Sequence, residues 1–100
     1  MSEQKTTDLS AKQRAFLKSH AQSLEAKLQI GKNGLSDNFV KELDVALERD
    51  ELVKVRVGKF VEESLAAEAA TKSKSALVGT VGRTALYYRA SKEPKLKLPS

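Results

Sequence analysis

The residues with the most chemical content are Gly31-Lys32-Asn33-Gly34, in which two glycines three apart frame a cation and an amide. Lacking a Cβ, such a turn can be tight and a ligand can come close to the main chain. Ser36 is placed to cap a following helix, with Asp37 at the positive end of its dipole and Leu35 able to staple onto Val40. Backbone N–H groups at that helix start, beside the Lys32 ammonium, suit a phosphate. The same residues also fit a plain strand-to-helix turn, so the surroundings must decide.

Little else in the chain suggests reaction chemistry. Cysteine is absent, which removes disulfides, thiolate catalysis and most zinc sites. His20, the single histidine, falls in the apolar stripe of a helix without carboxylates at metal-ligand spacing, which predicts a packed core residue. The carboxylates gather on exposed helix faces, and the nucleotide-binding pattern GxxxxGK[ST] is missing. The expectation is a protein that is not an enzyme, with no cofactor, no metal and no small-molecule substrate.

Composition narrows the partner. One hundred residues, 40% apolar and 31% charged, suit one compact domain whose core must be aliphatic, since only five residues are aromatic. No apolar run approaches the roughly 20 residues that cross a bilayer, and no secretory signal is evident, so the chain reads as a cytoplasmic monomer without a membrane partner. The net charge of +5 is polarised: residues 1 to 51 hold eight basic and nine acidic residues, residues 52 to 100 ten basic and four acidic. That asymmetry favours a polyanion, and nucleic acid over membrane because no basic amphipathic helix with a bulky apolar face appears. A solvated charged face is the alternative.

The elements that must position these groups follow from periodicity. Residues 1–8 read as a flexible terminus. Ser10 and Gln13 form a capping box for a helix through about Glu25, with Phe16, Leu17, Ala21 and Leu24 in its stripe, Lys12 at a flank, and Arg14 and Lys18 on the far side. A short strand leading to the glycine turn points Leu28 and Ile30 one way, Lys27 and Gln29 the other. The helix from Asp37 to Arg49 buries Phe39, Val40, Leu43, Ala46 and Leu47 and exposes carboxylates, which argues against a DNA recognition helix. In the clearest strand, 52–57, Val53, Val55 and Val57 form a core side, Lys54 and Arg56 a basic one. An alanine-rich third helix ends near 71–75, and strands at 76–81 and 84–90 close a hairpin at Gly82-Arg83, with Gly79 weakening the first. The fold class is α/β (α+β two-layer), in the order α-β-α-β-α-β-β, with helices covering one face of a small mixed four-stranded sheet. Residues 91–100, with Lys92, Lys95 and Lys97 between prolines, form a basic tail.

The pieces Leu9-Ser10-Ala11-Lys12-Gln13-Arg14, Ile30-Gly31-Lys32-Asn33-Gly34-Leu35, Leu52-Val53-Lys54-Val55-Arg56-Val57, Val81-Gly82-Arg83-Thr84 and Tyr88-Arg89 resemble, in order, the bacterial YhbY-type CRM (chloroplast RNA splicing and ribosome maturation) domain. The resemblance implies a domain over 9–90 similar to the C-terminal domain of translation initiation factor three, with a GxxG loop analogous to that of KH domains. It also implies binding to structured RNA, such as rRNA of a maturing large (50S) ribosomal subunit. On this reading Gly31, Lys32, Asn33 and Gly34 contact the RNA, and Lys27, Lys54 and Arg56 extend the track across the sheet. Lys12, Arg14, Lys18, Arg83, Arg89 and Lys92 are weaker candidates, and Tyr87 and Tyr88 suit packing better than base stacking. The competing readings are a KH-like regulator of single-stranded RNA and a protein-interaction module docking through the acidic helix at 37–51.

Overall fold

A computed structural model describes residues 9–31, 34–59, 61–62 and 64–90. The expectations for residues 1–8, Lys32, Asn33 and the tail from Ser91 fall outside the described residues. The elements are α1 (Ala11–Ala21), β1 (Leu28–Ile30), α2 (Asp37–Asp50), β2 (Leu52–Val57), α3 (Ser64–Ser73), β3 (Ala76–Val81) and β4 (Thr84–Tyr88). The class and the element order are those expected. The sheet runs β1-β2-β4-β3, with β1 parallel to β2 and the remaining neighbours antiparallel. Helix α2 is the crossover that parallel pairing requires.

Local chemistry accounts for the helix starts. Ser10 Oγ accepts from the Gln13 N–H at 3.1 Å while Gln13 Oε1 accepts from the Ser10 N–H at 3.0 Å, completing the box. Ser36 Oγ accepts from the Phe39 N–H at 3.0 Å and so opens α2. Helix α1 stops at Ala21, a turn short of the expected end, although Leu24 still packs beside it.

Side-chain alternation on β2 and β4 divides the core in two. Val53, Val55, Ala85 and Tyr87 meet Phe39, Leu43 and Leu47 of α2 and the alanines of α3. Those small residues let α3 lie close to the sheet, and the Tyr87 hydroxyl donates to the Ala66 carbonyl at 2.8 Å. Leu52, Val78, Leu86 and Tyr88 face the opposite way and are covered by Leu17 and Ala21, with Phe16 and Leu24 alongside. The helices therefore lie on both faces, a correction to the expected one-sided arrangement. The reason is in β4: Ala85-Leu86-Tyr87-Tyr88 has no polar alternation, so both sides of that central strand must be buried, and α1 buries the second.

This placement reassigns two further residues. Arg14 does not project away from the sheet: one terminal nitrogen of its guanidinium donates to the Leu77 and Val78 carbonyls at 3.0 and 2.8 Å, where the β3–β4 register slips between Leu77 and Gly79. His20 is exposed, not a core residue, and stacks on Phe16 with ring centroids 6.0 Å apart. Helical spacing alone could not separate the edge of the stripe, where His20 sits, from its centre at Leu17 and Ala21.

Candidate nucleic-acid interface

Because β1 and β2 are parallel, they end at one pole of the sheet, and the β3–β4 turn reaches the same pole. The Gly34 N–H donates to the Gly31 carbonyl at 2.9 Å, closing the GxxG segment as a turn. Gly34 has φ +69°, a left-handed conformation that favours glycine, whereas a Cβ on Gly31 would meet nothing within 4 Å among the described residues. The Gly58 N–H donates to the Ile30 carbonyl at 2.9 Å, and the Val57 N–H to the Arg83 carbonyl at 2.6 Å. Gly58 sits so close that a Cβ there would come within 3.0 Å of the Ile30 oxygen and 3.8 Å of Gly31 Cα. Three chain reversals are thus tied by backbone hydrogen bonds into one surface.

Cations surround it. Arg56 is exposed at the end of β2, in register with Gln29 on one side and Thr84 on the other. Arg83 is exposed in the hairpin turn, and Lys59 is exposed after Gly58. Arg56 and Arg83 make no ion pair among the described residues. Lys59 is not among the candidates that the sequence suggests, although a signal is there: both parallel strands run directly into Gly-Lys, as Ile30-Gly31-Lys32 and Val57-Gly58-Lys59. Lys32 and Asn33 stand between Gly31 and Gly34 in the sequence and lie outside the described residues.

The structure distributes the remaining candidates elsewhere. Lys54 is half-buried between β2 and α1, where its Nζ donates to the Ala21 and Leu24 carbonyls at 3.2 and 3.0 Å. It neutralises the C-terminal end of α1, so the expected basic side of the sheet is here an internal helix cap. Lys27 lies at the opposite end of β1 from the glycine turn, 3.6 Å from Asp50. Hydrogen bonding from Arg49 holds the Asp50 carboxyl below its ordinary range against some desolvation, and the charges of Arg49 and Lys27 add to this. Arg89, 14% exposed, bonds Asp44 at 2.7 Å, the Ser73 carbonyl at 2.7 Å and Glu48 at 3.3 Å. Lys12 is exposed on the first turn of α1, Lys18 is exposed against Gly79, and Lys92 lies outside the described residues. Tyr87 and Tyr88 are buried and present no ring to a ligand. No group of three or more potential metal ligands occurs among the described residues. No helix of the described residues is long and apolar enough to cross a membrane.

Fold and site together define a small α/β sandwich with one glycine-rich, cationic pole. The CRS1/YhbY (CRM) domain profile matches residues 9–89, and the chain belongs to that family. It is 45% identical over 95 residues to the "Probable RNA-binding protein YqeI" of Bacillus subtilis, covering 91% of this chain and 99% of that one. It is 35% identical over 96 residues to an RNA-binding protein of Haemophilus influenzae, covering 93% and 97%. The solution structure of a Staphylococcus aureus hypothetical protein, described as a candidate for RNA binding, superposes with a TM-score of 0.77 at 34% identity, covering 92% of this chain and all of that one.

Proposed function

We propose that this protein binds RNA through the glycine pole, and that its target is structured rRNA in precursors of the large ribosomal subunit, whose assembly it assists without chemistry of its own. The observation that carries the reading is the open space at Gly31 among the described residues: their packing has no need of a missing side chain there, whereas a sugar-phosphate backbone lying on the turn does. Lys32 and Asn33 then meet phosphate, sugar or base edge, and Arg56, Lys59 and Arg83 continue the cationic track. Membership of the family and the names of the relatives support RNA as the partner.

The test is Gly31→Val, with binding to purified large-subunit rRNA measured by filter retention. The expected result is a loss of about ten-fold or more in affinity, the order set by one displaced charged hydrogen bond. Unchanged affinity in the folded variant would remove the turn from the interface. Gradient sedimentation of cell extract tests the assembly role: the protein should travel with incomplete large subunits, and travel only with messenger RNA would instead favour a KH-like regulator.

A further inference from the structure

A cleft of about 500 Å³ opens between the loop that begins at Gly58 and the β3–β4 hairpin. Its walls include Val57, Val61, Ala66 and Leu77, while Thr80 and Thr84 supply hydroxyls and Lys59 and Arg83 supply charge. No carboxylate lines it among the described residues. That combination, apolar walls with a few polar groups in a volume within the range of about 300–1,000 Å³, is the constitution of a site for a small flat molecule.

Resting on the RNA-binding reading above, we propose that this cleft receives one unpaired nucleobase of the bound RNA. Continuity argues for that occupant. Gly58, which lines the cleft, stands 3.8 Å, measured from an ideal Cβ, from the Cα of Gly31, so a strand laid on the glycine turn passes the cleft mouth. Charge argues the same way, because Arg83 and Lys59 both line the cleft and bring positive charge to the phosphates that flank an inserted base. A base within a duplex cannot enter, since its faces are stacked and its pairing edge is engaged, so the cleft selects a bulged or looped nucleotide. The cleft near Lys27 and Arg49 offers no equivalent: it holds about 250 Å³, carboxylates of Glu25 and Asp50 stand among its cations, and it lies at the end of β1 away from the glycine turn.

The experiment compares two RNA hairpins identical except that one carries a single bulged 2-aminopurine nucleotide and the other is fully paired. The wild-type protein should bind the bulged hairpin about ten-fold more tightly, as one stacked base provides, and 2-aminopurine emission should change on binding. Thr80→Trp, at an exposed strand position, fills the cleft and should abolish the preference while the fully paired hairpin binds as before. Equal affinities with unmoved emission in the wild type, or a preference surviving in folded Thr80→Trp, would overturn the proposal while leaving the RNA-binding reading standing. Salt-dependent binding of neither hairpin would overturn both. The wild-type emission arm decides the matter even where Thr80→Trp does not fold.

Discussion

A side chain at Gly34 and one at Gly31 have different consequences. Gly34→Val places a β-branched residue at φ +69° with Leu65 Cδ1 at 3.5 Å, and should destabilise the fold by about 1–2 kcal/mol or more. Gly31→Val enters open space and should shift stability by no more than about 0.5 kcal/mol. Urea denaturation of the two variants checks both. Lys54→Met should cost about 1–2 kcal/mol by the same measurement, because the carbonyls of Ala21, the last residue of α1, and of Leu24 just beyond it lose their donor. The helix cap makes Lys54 part of the fold, where the strand pattern alone places it on a free basic side with Arg56. Tyr87 supplies a pH test. Burial raises its phenol above the ordinary value of 10.0, so the native state keeps the proton where the unfolded chain loses it. The stabilisation is complete below about pH 10 and is lost as pH rises above it. Tyr87→Phe should therefore lose less stability than the wild type between about pH 9 and about pH 11, while costing about 1 kcal/mol at neutral pH for the bond to Ala66. Tyr88, raised by burial and then by the Glu51 charge, keeps its own alkaline sensitivity in both proteins.

Among the elements, α1 depends most on specific attachment. Among the described residues it is the helix that covers the second sheet face, through Leu17 and Ala21 with Phe16, and with Leu9 and Leu24 flanking it, and it is anchored near its start by Arg14 and at its end by Lys54. Arg14→Met should cost about 1–3 kcal/mol, since it strips a charged donor from two carbonyls at the β3 irregularity. Amide hydrogen exchange should accelerate in β3 before it does in β2, and uniform acceleration across the sheet would show that the contact is not local. The existence of α1 was legible from the Ser10–Gln13 box, but its docking face was not. Arg14 reads as a solvated charge because spacing along one helix carries no information about carbonyls some sixty residues away, whereas Lys18 is exposed as expected. The hairpin, by contrast, was legible to within two residues, because alternation and the Gly82-Arg83 turn are local signals.

At the scale of the molecule, charge is segregated between the glycine pole and the outer face of α2. Arg56, Lys59 and Arg83 gather around the three reversals, while Glu42, Asp44 and Glu48 stand exposed on α2. On the proposed reading a polyanion engages the pole, whereas on α2 the Asp44 and Glu48 carboxylates already pair with Arg89. Arg56→Ala and Arg83→Ala should each lower the salt slope of RNA binding by about one and weaken it alike across sequences. Lys27→Ala, at the other end of β1 and beside Asp50, should leave the slope unchanged. Measured slopes that fall for Lys27 and not for Arg56 would place the RNA on the wrong end of the sheet.

Local chemistry within the chain was enough to determine the seven elements, their order, the helix caps and the glycine turn, because each depends on residues no more than a few positions apart. Which cations remain available to a partner was decided only by the tertiary structure. Lys54 and Arg56 look alike along the strand, two residues apart on one side of it, yet the end of α1 meets the first and leaves the second exposed. A lysine under a helix end bonds its carbonyls, and an arginine beyond that end stays in water. That difference comes from the apolar character of both sides of β4, which draws α1 onto the sheet, and no spacing within residues 52–57 records it.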